Sequence, residues 1–125
     1  MSSEFKIEDI KYDGFVHSRI YEFIYEPQNK LFKVNLGFGD LKKGGAVVDC
    51  TITITDWWDL EVLHYRGQKI INLLKGKDVP ELDGIVGYSY DGDILILEDL
   101  CGPDEIYYFK FVKPKIQITG EYDPD

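Results

Sequence analysis

The sequence predicts a mainly β protein, an antiparallel sandwich or partly open barrel of about eight short strands with one or two short helices at most. Three observations support this fold class. Apolar residues alternate with a period of two, these runs are rich in β-branched and aromatic residues, and turn residues separate successive runs. At 125 residues we expect one domain, residues 1–125, with a core that needs no disulfide or metal and a frayed tail at 121–125.

The strands are predicted mostly as hairpins. Residues 18–26 lead through Pro27-Gln28-Asn29-Lys30 into a partner strand that starts at Leu31, which is typical of a four-residue hairpin loop. Apolar and polar residues then alternate over 32–38 and 48–54, as expected for half-buried strands.

A second hairpin joins residues 85–90 to 93–98 across Asp91-Gly92, a dipeptide that favours short turns. A third pair, 106–112 and 115–119, is separated by Lys113-Pro114, where proline cannot donate to a ladder.

One helix is predicted, over residues 68–75, because Ile70, Ile71, Leu73 and Leu74 fall on one helical face and Gly76 would end it. An apolar strand remains an open alternative at this length. The adjacent run, 60–66, favours a strand.

The charge is unevenly distributed. Fourteen Lys and Arg against 23 Asp and Glu give a net charge of −9, which excludes sequence-independent nucleic-acid binding and disfavours anionic membranes. Residues 78–109 contain no Lys or Arg, and their nine acids account for the whole net charge. This segment is either a solvated face that maintains solubility or a docking face that steers a basic protein partner.

Two adjacent tryptophans add a candidate anchor, since alternate side chains of a strand face opposite ways and one of Trp57 and Trp58 should be exposed. An exposed Trp with nearby Tyr could also stack on a sugar, so a carbohydrate- or small-ligand-binding domain is the alternative function. The candidate partner-binding residues are Trp57, Trp58, Asp78, Glu81, Asp83, Asp91, Asp93, Glu98, Asp99, Asp104 and Glu105.

The sequence offers no constellation that favours an enzyme, and we expect no cofactor. His17, His64, Cys50 and Cys101 lack the short spacings of zinc sites. Asp91-Gly92-Asp93 lacks the closing Glu of a calcium loop. Two cysteines predict reduced thiols, one packed and one partly exposed. Without a secretory signal or an apolar span, we expect a cytoplasmic protein; the oligomeric state stays open.

Residues 13–25, 29–36 and 49–57 resemble small β-rich immunity proteins of bacterial polymorphic-toxin systems. The likeness is a pattern over roughly half the chain. The resemblance implies a non-enzymatic protein that binds and blocks one cognate toxin, for example a nuclease, whose basic cleft an acidic face could occupy. It assigns no particular binding residue.

Overall fold

The computed structural model of the chain describes residues 3–75 and 81–124. This part of the chain forms two five-stranded antiparallel sheets that pack face to face, so the predicted antiparallel sandwich is confirmed, with ten strands instead of about eight. The elements are β1 (Ser3–Phe5), a 3-10 turn (Ile7–Asp9), β2 (Ile20–Glu26), a 3-10 turn (Pro27–Asn29), β3 (Leu31–Asp40), β4 (Ala46–Thr55), β5 (Asp59–Arg66), β6 (Lys69–Lys75), β7 (Ile85–Tyr90), β8 (Ile94–Gly102), β9 (Glu105–Val112) and β10 (Lys115–Asp123).

The strand order is β1-β10-β4-β3-β2 in the first sheet and β6-β5-β9-β8-β7 in the second sheet. The two predicted hairpins, β2–β3 and β7–β8, form antiparallel pairs as expected. In the first hairpin, Lys30 adopts a left-handed backbone (φ 48°) and donates its N–H to the Pro27 carbonyl at 3.0 Å, which closes the turn.

The chain crosses between the sheets at two neighbouring corners. The first crossing, β4 to β5, passes through Asp56 (φ 55°), and the second, β9 to β10, passes through Lys113 (φ 49°) and Pro114. The ammonium of Lys115 lies 3.4 Å from the Asp56 carboxylate. The predicted third hairpin is therefore wrong, because β9 pairs with β5 and β8 while β10 pairs with β1 and β4.

The helix predicted over 68–75 is also wrong. Lys69–Lys75 form β6, an edge strand antiparallel to β5. So short a helix is marginal by itself, whereas a strand satisfies its backbone groups on β5. Gly76, the expected helix stop, lies outside the described residues. Within the described chain, no helix is long and apolar enough to cross a membrane.

Residues 121–123, part of the tail that we expect to fray, lie in the first sheet. These residues continue β10 and pair with Val48, Val47 and Ala46 of β4, after a register shift between Thr119 and Glu121. A Cβ on Gly120 would lie 2.4 Å from a Val47 side-chain carbon, so this close approach requires glycine. Asp125 lies outside the described residues.

Aromatic residues from both sheets fill the core. The Phe32 ring, fully buried on β3, lies 5.6 Å from the Phe109 ring and 5.0 Å from the Phe111 ring, both on β9 of the opposite sheet. Trp57 packs edge-on against Phe111 at 5.3 Å. Because burying one such side chain stabilises a fold by about 1.5–3 kcal/mol, these contacts hold the two sheets together.

The segment between β1 and β2 joins the first sheet to the β7 edge of the second. Its residues Ile7, Ile10 and Phe15 are buried. The Tyr88 hydroxyl on β7 donates to the Ile7 carbonyl at 2.7 Å and also contacts the Ile10 carbonyl oxygen. The Tyr88 N–H donates to the Tyr12 carbonyl at 3.0 Å. The hydroxyl and the backbone N–H of Tyr88 therefore both bind this segment.

Candidate functional site

The acidic segment is divided between the two ends of the second sheet. Asp91 and Asp93 lie in the turn between β7 and β8, whereas Asp104 and Glu105 lie where β8 turns into β9. The length of β8, roughly 26 Å at about 3.3 Å per residue, separates these turns. The segment therefore does not form one continuous docking face.

The side chain of Asp91 stabilises the turn that contains it. Its Oδ1 accepts hydrogen bonds from the N–H groups of Asp93 at 2.9 Å and Ile94 at 2.8 Å. The bond from Ile94, and to a smaller extent the bond from Asp93, holds the pKa of Asp91 below its ordinary value. The Asp-Gly-Asp sequence thus has a local structural role, and its second acid, Asp93, is exposed.

Asp99 is fully buried, so it cannot contact a partner directly as the sequence suggested. Its Oδ1 accepts hydrogen bonds from Asp83 N–H at 3.0 Å and Gly84 N–H at 2.7 Å. These two bonds attach the chain just before β7 to β8. Burial raises the pKa of Asp99 more than these two bonds lower it. Glu81 and Asp83 have exposed side chains, and Asp78 lies outside the described residues.

Glu105 is neutralised in part by its neighbours. Its Oε1 lies 2.8 Å from Arg66 Nη2 and 3.4 Å from His64 Nε2. The hydrogen bond from Arg66 holds the pKa of Glu105 below its ordinary value. Asp104 is exposed beside it, and Glu98 is half-buried on β8.

The two tryptophans occupy opposite environments. Trp57 is 5% exposed and belongs to the core, so it is excluded as a partner contact, whereas Trp58 is 70% exposed. The Lys113 ammonium lies 4.2 Å from the centre of the Trp58 ring and covers one of its faces. Trp58 therefore presents its other face and its edge to the surroundings.

The outer face of the second sheet is the main surface feature that sequence reasoning missed. Cross-strand partners share a face, and the pairing places Leu63 beside Tyr108 and Leu73, and Tyr65 beside Ile106 and Ile70. We call this surface the outer apolar face; it consists of Leu63, Tyr65, Ile70, Leu73, Ile94, Ile96, Leu100, Ile106, Tyr108 and Val112. Three of its members, Ile70, Leu73 and Leu100, are 55%, 54% and 41% exposed.

Charged groups within this face are few. Glu61 and Lys110 are cross-strand partners on β5 and β9, and Glu98 lies opposite Tyr108. The acids of the two turns stand at its ends, with Asp93 near Lys113 and Trp58 at one end. The apolar residues of this surface therefore flank three charged side chains in its middle rows, and its ends carry acids together with Lys113 at one end and Arg66 at the other.

The outer face of the first sheet has the opposite character. Its strands present alternate residues outward, and most of these are polar. Between Thr51 and Thr55 of β4 and along its partners, the outward residues are Glu4, Glu22, Ile24, Glu26, Leu31, Lys33, Asn35, Thr51, Thr53, Thr55, Lys115, Gln117 and Thr119. The half-exposed apolar residues Phe38 and Val48 pair beyond this region.

A sequence signal for the outer apolar face exists in β8. Ile94-Leu95-Ile96-Leu97 is an unbroken apolar run, so both faces of the strand must be apolar. Leu95 and Leu97 are fully buried, and Ile94 and Ile96 point to the outside. The alternating runs of β3 and β4 carry no such signal.

The histidines and cysteines occupy different places. Cys50 is buried in β4 of the first sheet, and burial raises the pKa of its thiol to about 12. Cys101 on β8 is half-exposed, so the predicted placement of one packed and one partly exposed cysteine is confirmed. His17 is exposed, whereas His64 is buried in the second sheet near Cys101.

No protein-family model, curated protein or solved structure matches this chain, so its function has to be argued from its own residues.

Proposed function

We propose that this chain is a non-enzymatic binding protein that docks the outer apolar face onto a basic protein partner. The observation that carries the proposal is the exposed apolar surface of the second sheet. Apolar residues on the solvent side of a sheet favour contact with another molecule, because isolated domains rarely expose large contiguous apolar patches.

The size of this surface is in the range of a protein interface. The four strands that contribute to it, about 4.8 Å apart and up to nine residues long, cover roughly 500 Å². Specific interfaces bury about 800 Å² on each partner, so the sheet together with its two ends supplies a patch of that size. Apolar centres with polar rims are the usual anatomy of such interfaces.

Charge favours a basic partner over a second copy of the chain. The net charge is −9, and acidic turns flank the apolar face at both ends. Two copies that met through this face would bring like charges together, whereas a partner that combines apolar residues with an excess of Lys and Arg would match it. Long-range attraction would also accelerate encounter at low salt.

The resemblance to immunity proteins identifies the class of partner that we propose, a cognate bacterial toxin. A nuclease fits the charge, because a cleft that holds phosphate is basic. Under this proposal the protein inhibits by occupation, and the acids supply complementarity without performing chemistry.

The experiment is co-purification of the chain with the protein encoded by the adjacent gene, from low to high salt. We expect a one-to-one complex whose affinity falls as salt rises, because salt screens the charged rim. The apolar contacts are expected to retain part of the affinity at high salt.

Absence of a complex with that protein would refute the proposal, and self-association of the purified chain through the same face would refute the choice of partner. Titration of tryptophan fluorescence with a glycan panel tests the carbohydrate alternative. A saturable change there would favour Trp58 as a stacking platform.

A further inference from the structure

We infer that His64, Cys101 and Glu105 form a binding site for one divalent transition-metal ion of the zinc class. The three residues come from three adjacent strands at one end of the second sheet. Their ligand atoms, an imidazole nitrogen, the thiol sulfur and a carboxylate oxygen, all lie within 4.8 Å of one another. This site is independent of the proposed docking function.

The ligand chemistry selects the ion. Thiolate, imidazole and carboxylate are all zinc ligands, and a mixed set of them disfavours the hard cations calcium and magnesium. In a tetrahedral zinc site neighbouring ligand atoms lie roughly 3.3–3.8 Å apart. His64 Nε2 and Glu105 Oε1 are already 3.4 Å apart, and the 4.8 Å limit on all three separations leaves a closure of at most about 1.5 Å.

The surrounding structure positions the ligands. The His64 ring stacks on the Tyr107 ring, with centroids 4.1 Å apart and planes 14° from parallel. Two guanidinium nitrogens of Arg66 donate to Glu105 Oε1, which orients the carboxylate beside His64. Neighbouring residues that orient the ligands in this way are a regular part of metal sites.

Two interruptions of strand pairing lie beside the ligands. The pairing of β5 with β6 shifts register next to His64, and that of β8 with β9 skips Cys101. Such bulges redirect side chains and are enriched near functional sites. Here one bulge leaves Cys101 outside the regular pairing, and the other lies directly after His64.

The electrostatic environment attracts a cation. Burial, followed by the nearby charges of Asp99, Glu105 and Asp83, raises the pKa of the Cys101 thiol, and the negative potential of these acids favours a metal ion. On binding, the thiol proton leaves to solvent as the metal–sulfur bond forms, and three protein ligands leave the fourth position to water. The Arg66 charge opposes the cation, so we expect a Kd on the order of 1 µM, weaker than four-ligand structural sites.

The test is titration of chelator-treated full-length protein with Zn²⁺, and with Co²⁺ as a spectroscopic probe. We expect one ion per chain and thiolate-to-cobalt absorption. Cys101→Ser and His64→Asn should each weaken binding about 100-fold or more, since even supporting residues of metal sites contribute 10- to 100-fold. The matched control His17→Asn changes an exposed histidine outside the cluster and should retain wild-type affinity.

A second measurement covers variants that lose their fold. In wild-type protein Zn²⁺ should slow alkylation of Cys101 at least tenfold, with buried Cys50 as the unreactive internal reference. No saturable uptake by about 100 µM Zn²⁺ would overturn the inference, as would wild-type affinity in the folded Cys101→Ser variant. Equal loss in His17→Asn would show diffuse binding to surface acids and would also overturn it.

Discussion

The two sheets of this sandwich share a core but differ on their outer faces. Threonines and other polar residues cover most of the outside of the first sheet, for example Thr51, Thr53 and Gln117. The outside of the second sheet is apolar, as at Leu63 and Ile96, and its inner face carries buried polar groups at one end. The first sheet has the ordinary pattern of a sheet with one face on the core and one in water. The second sheet departs from this pattern in its apolar outer face and its buried polar groups, and we propose that its function lies there.

The largest expected effect compares one outward residue on each sheet. Ile96→Asp, in the middle of the outer apolar face, should weaken binding to the protein of the adjacent gene about 30-fold or more, the size of an interface hot spot. Thr53→Asp, in a central strand of the first sheet, is the matched control and should change affinity less than about twofold. Equal losses in both variants, measured by calorimetry on folded protein, would remove the functional distinction between the faces.

The inner polar groups provide the next comparison. Asp99→Ala removes the acceptor of two backbone N–H groups and should reduce the free energy of unfolding by about 2–3 kcal/mol. Asp99→Asn keeps an oxygen for these bonds and removes a buried charge, so it should cost less than about 1 kcal/mol.

Thr51→Val is the control for that pair in the first sheet. It breaks the 3.0 Å hydrogen bond from Asn35 on the outer face and should cost about 0.5–1 kcal/mol. Urea denaturation in the presence of a chelator measures all three variants. If Thr51→Val cost as much as Asp99→Ala, the polar groups inside the second sheet would have no special structural role.

Tyr88 gives a smaller and pH-dependent effect. Burial, with Glu8 and Asp9 adding to it, raises the pKa of Tyr88 above 10.0 in the folded protein. The stability that neutral Tyr88 contributes is fully present below its unfolded pKa and is lost as pH rises through its folded pKa. Tyr88→Phe should cost about 1 kcal/mol near neutral pH, and the wild type should lose more stability than the variant from about pH 9 to 11. Parallel pH profiles of the two proteins would contradict this role.

The smallest expected effect is at Trp58. Because this side chain is 70% exposed, Trp58→Ala should change the free energy of unfolding by less than about 0.5 kcal/mol, and Lys113→Met by a similar amount. Acrylamide should quench the emission of Trp58 and leave that of Trp57 protected. A cost above about 1 kcal/mol would mean that the Lys113 contact makes Trp58 a structural residue.

Most strands could be predicted because alternation and turn residues act over a few neighbouring positions of the sequence. The alternation in β3 and β4 and the Asp91-Gly92 turn are set by neighbouring residues and by backbone preferences. The strands with which β9 and β10 pair are not decided by local sequence. Lys113 and Pro114 turn the chain as a short hairpin would, but they direct it into the opposite sheet, and only the whole sandwich decides which partner β10 finds.

The candidate site shows the same limit. Sequence order suggested one acidic face, but the length of β8 separates Asp91 from Glu105, and the packing encloses Asp99. The 68–75 run was ambiguous because its apolar residues suit either a helix or a strand, and pairing with β5 decided for the strand. The metal-ligand set was invisible for a related reason, since His64, Cys101 and Glu105 meet through three strands that are adjacent in the sheet.

The position of β10 between β1 and β4 has a consequence for synthesis on the ribosome. β4 ends at Thr55, yet its partner begins at Lys115, about 60 residues later. At roughly 5–20 residues per second, the β-branched edge of β4 waits on the order of 3–12 s for its neighbour. During that interval it is an open template for other strands, so nascent chains stalled before β10 should be the species that chaperones engage first.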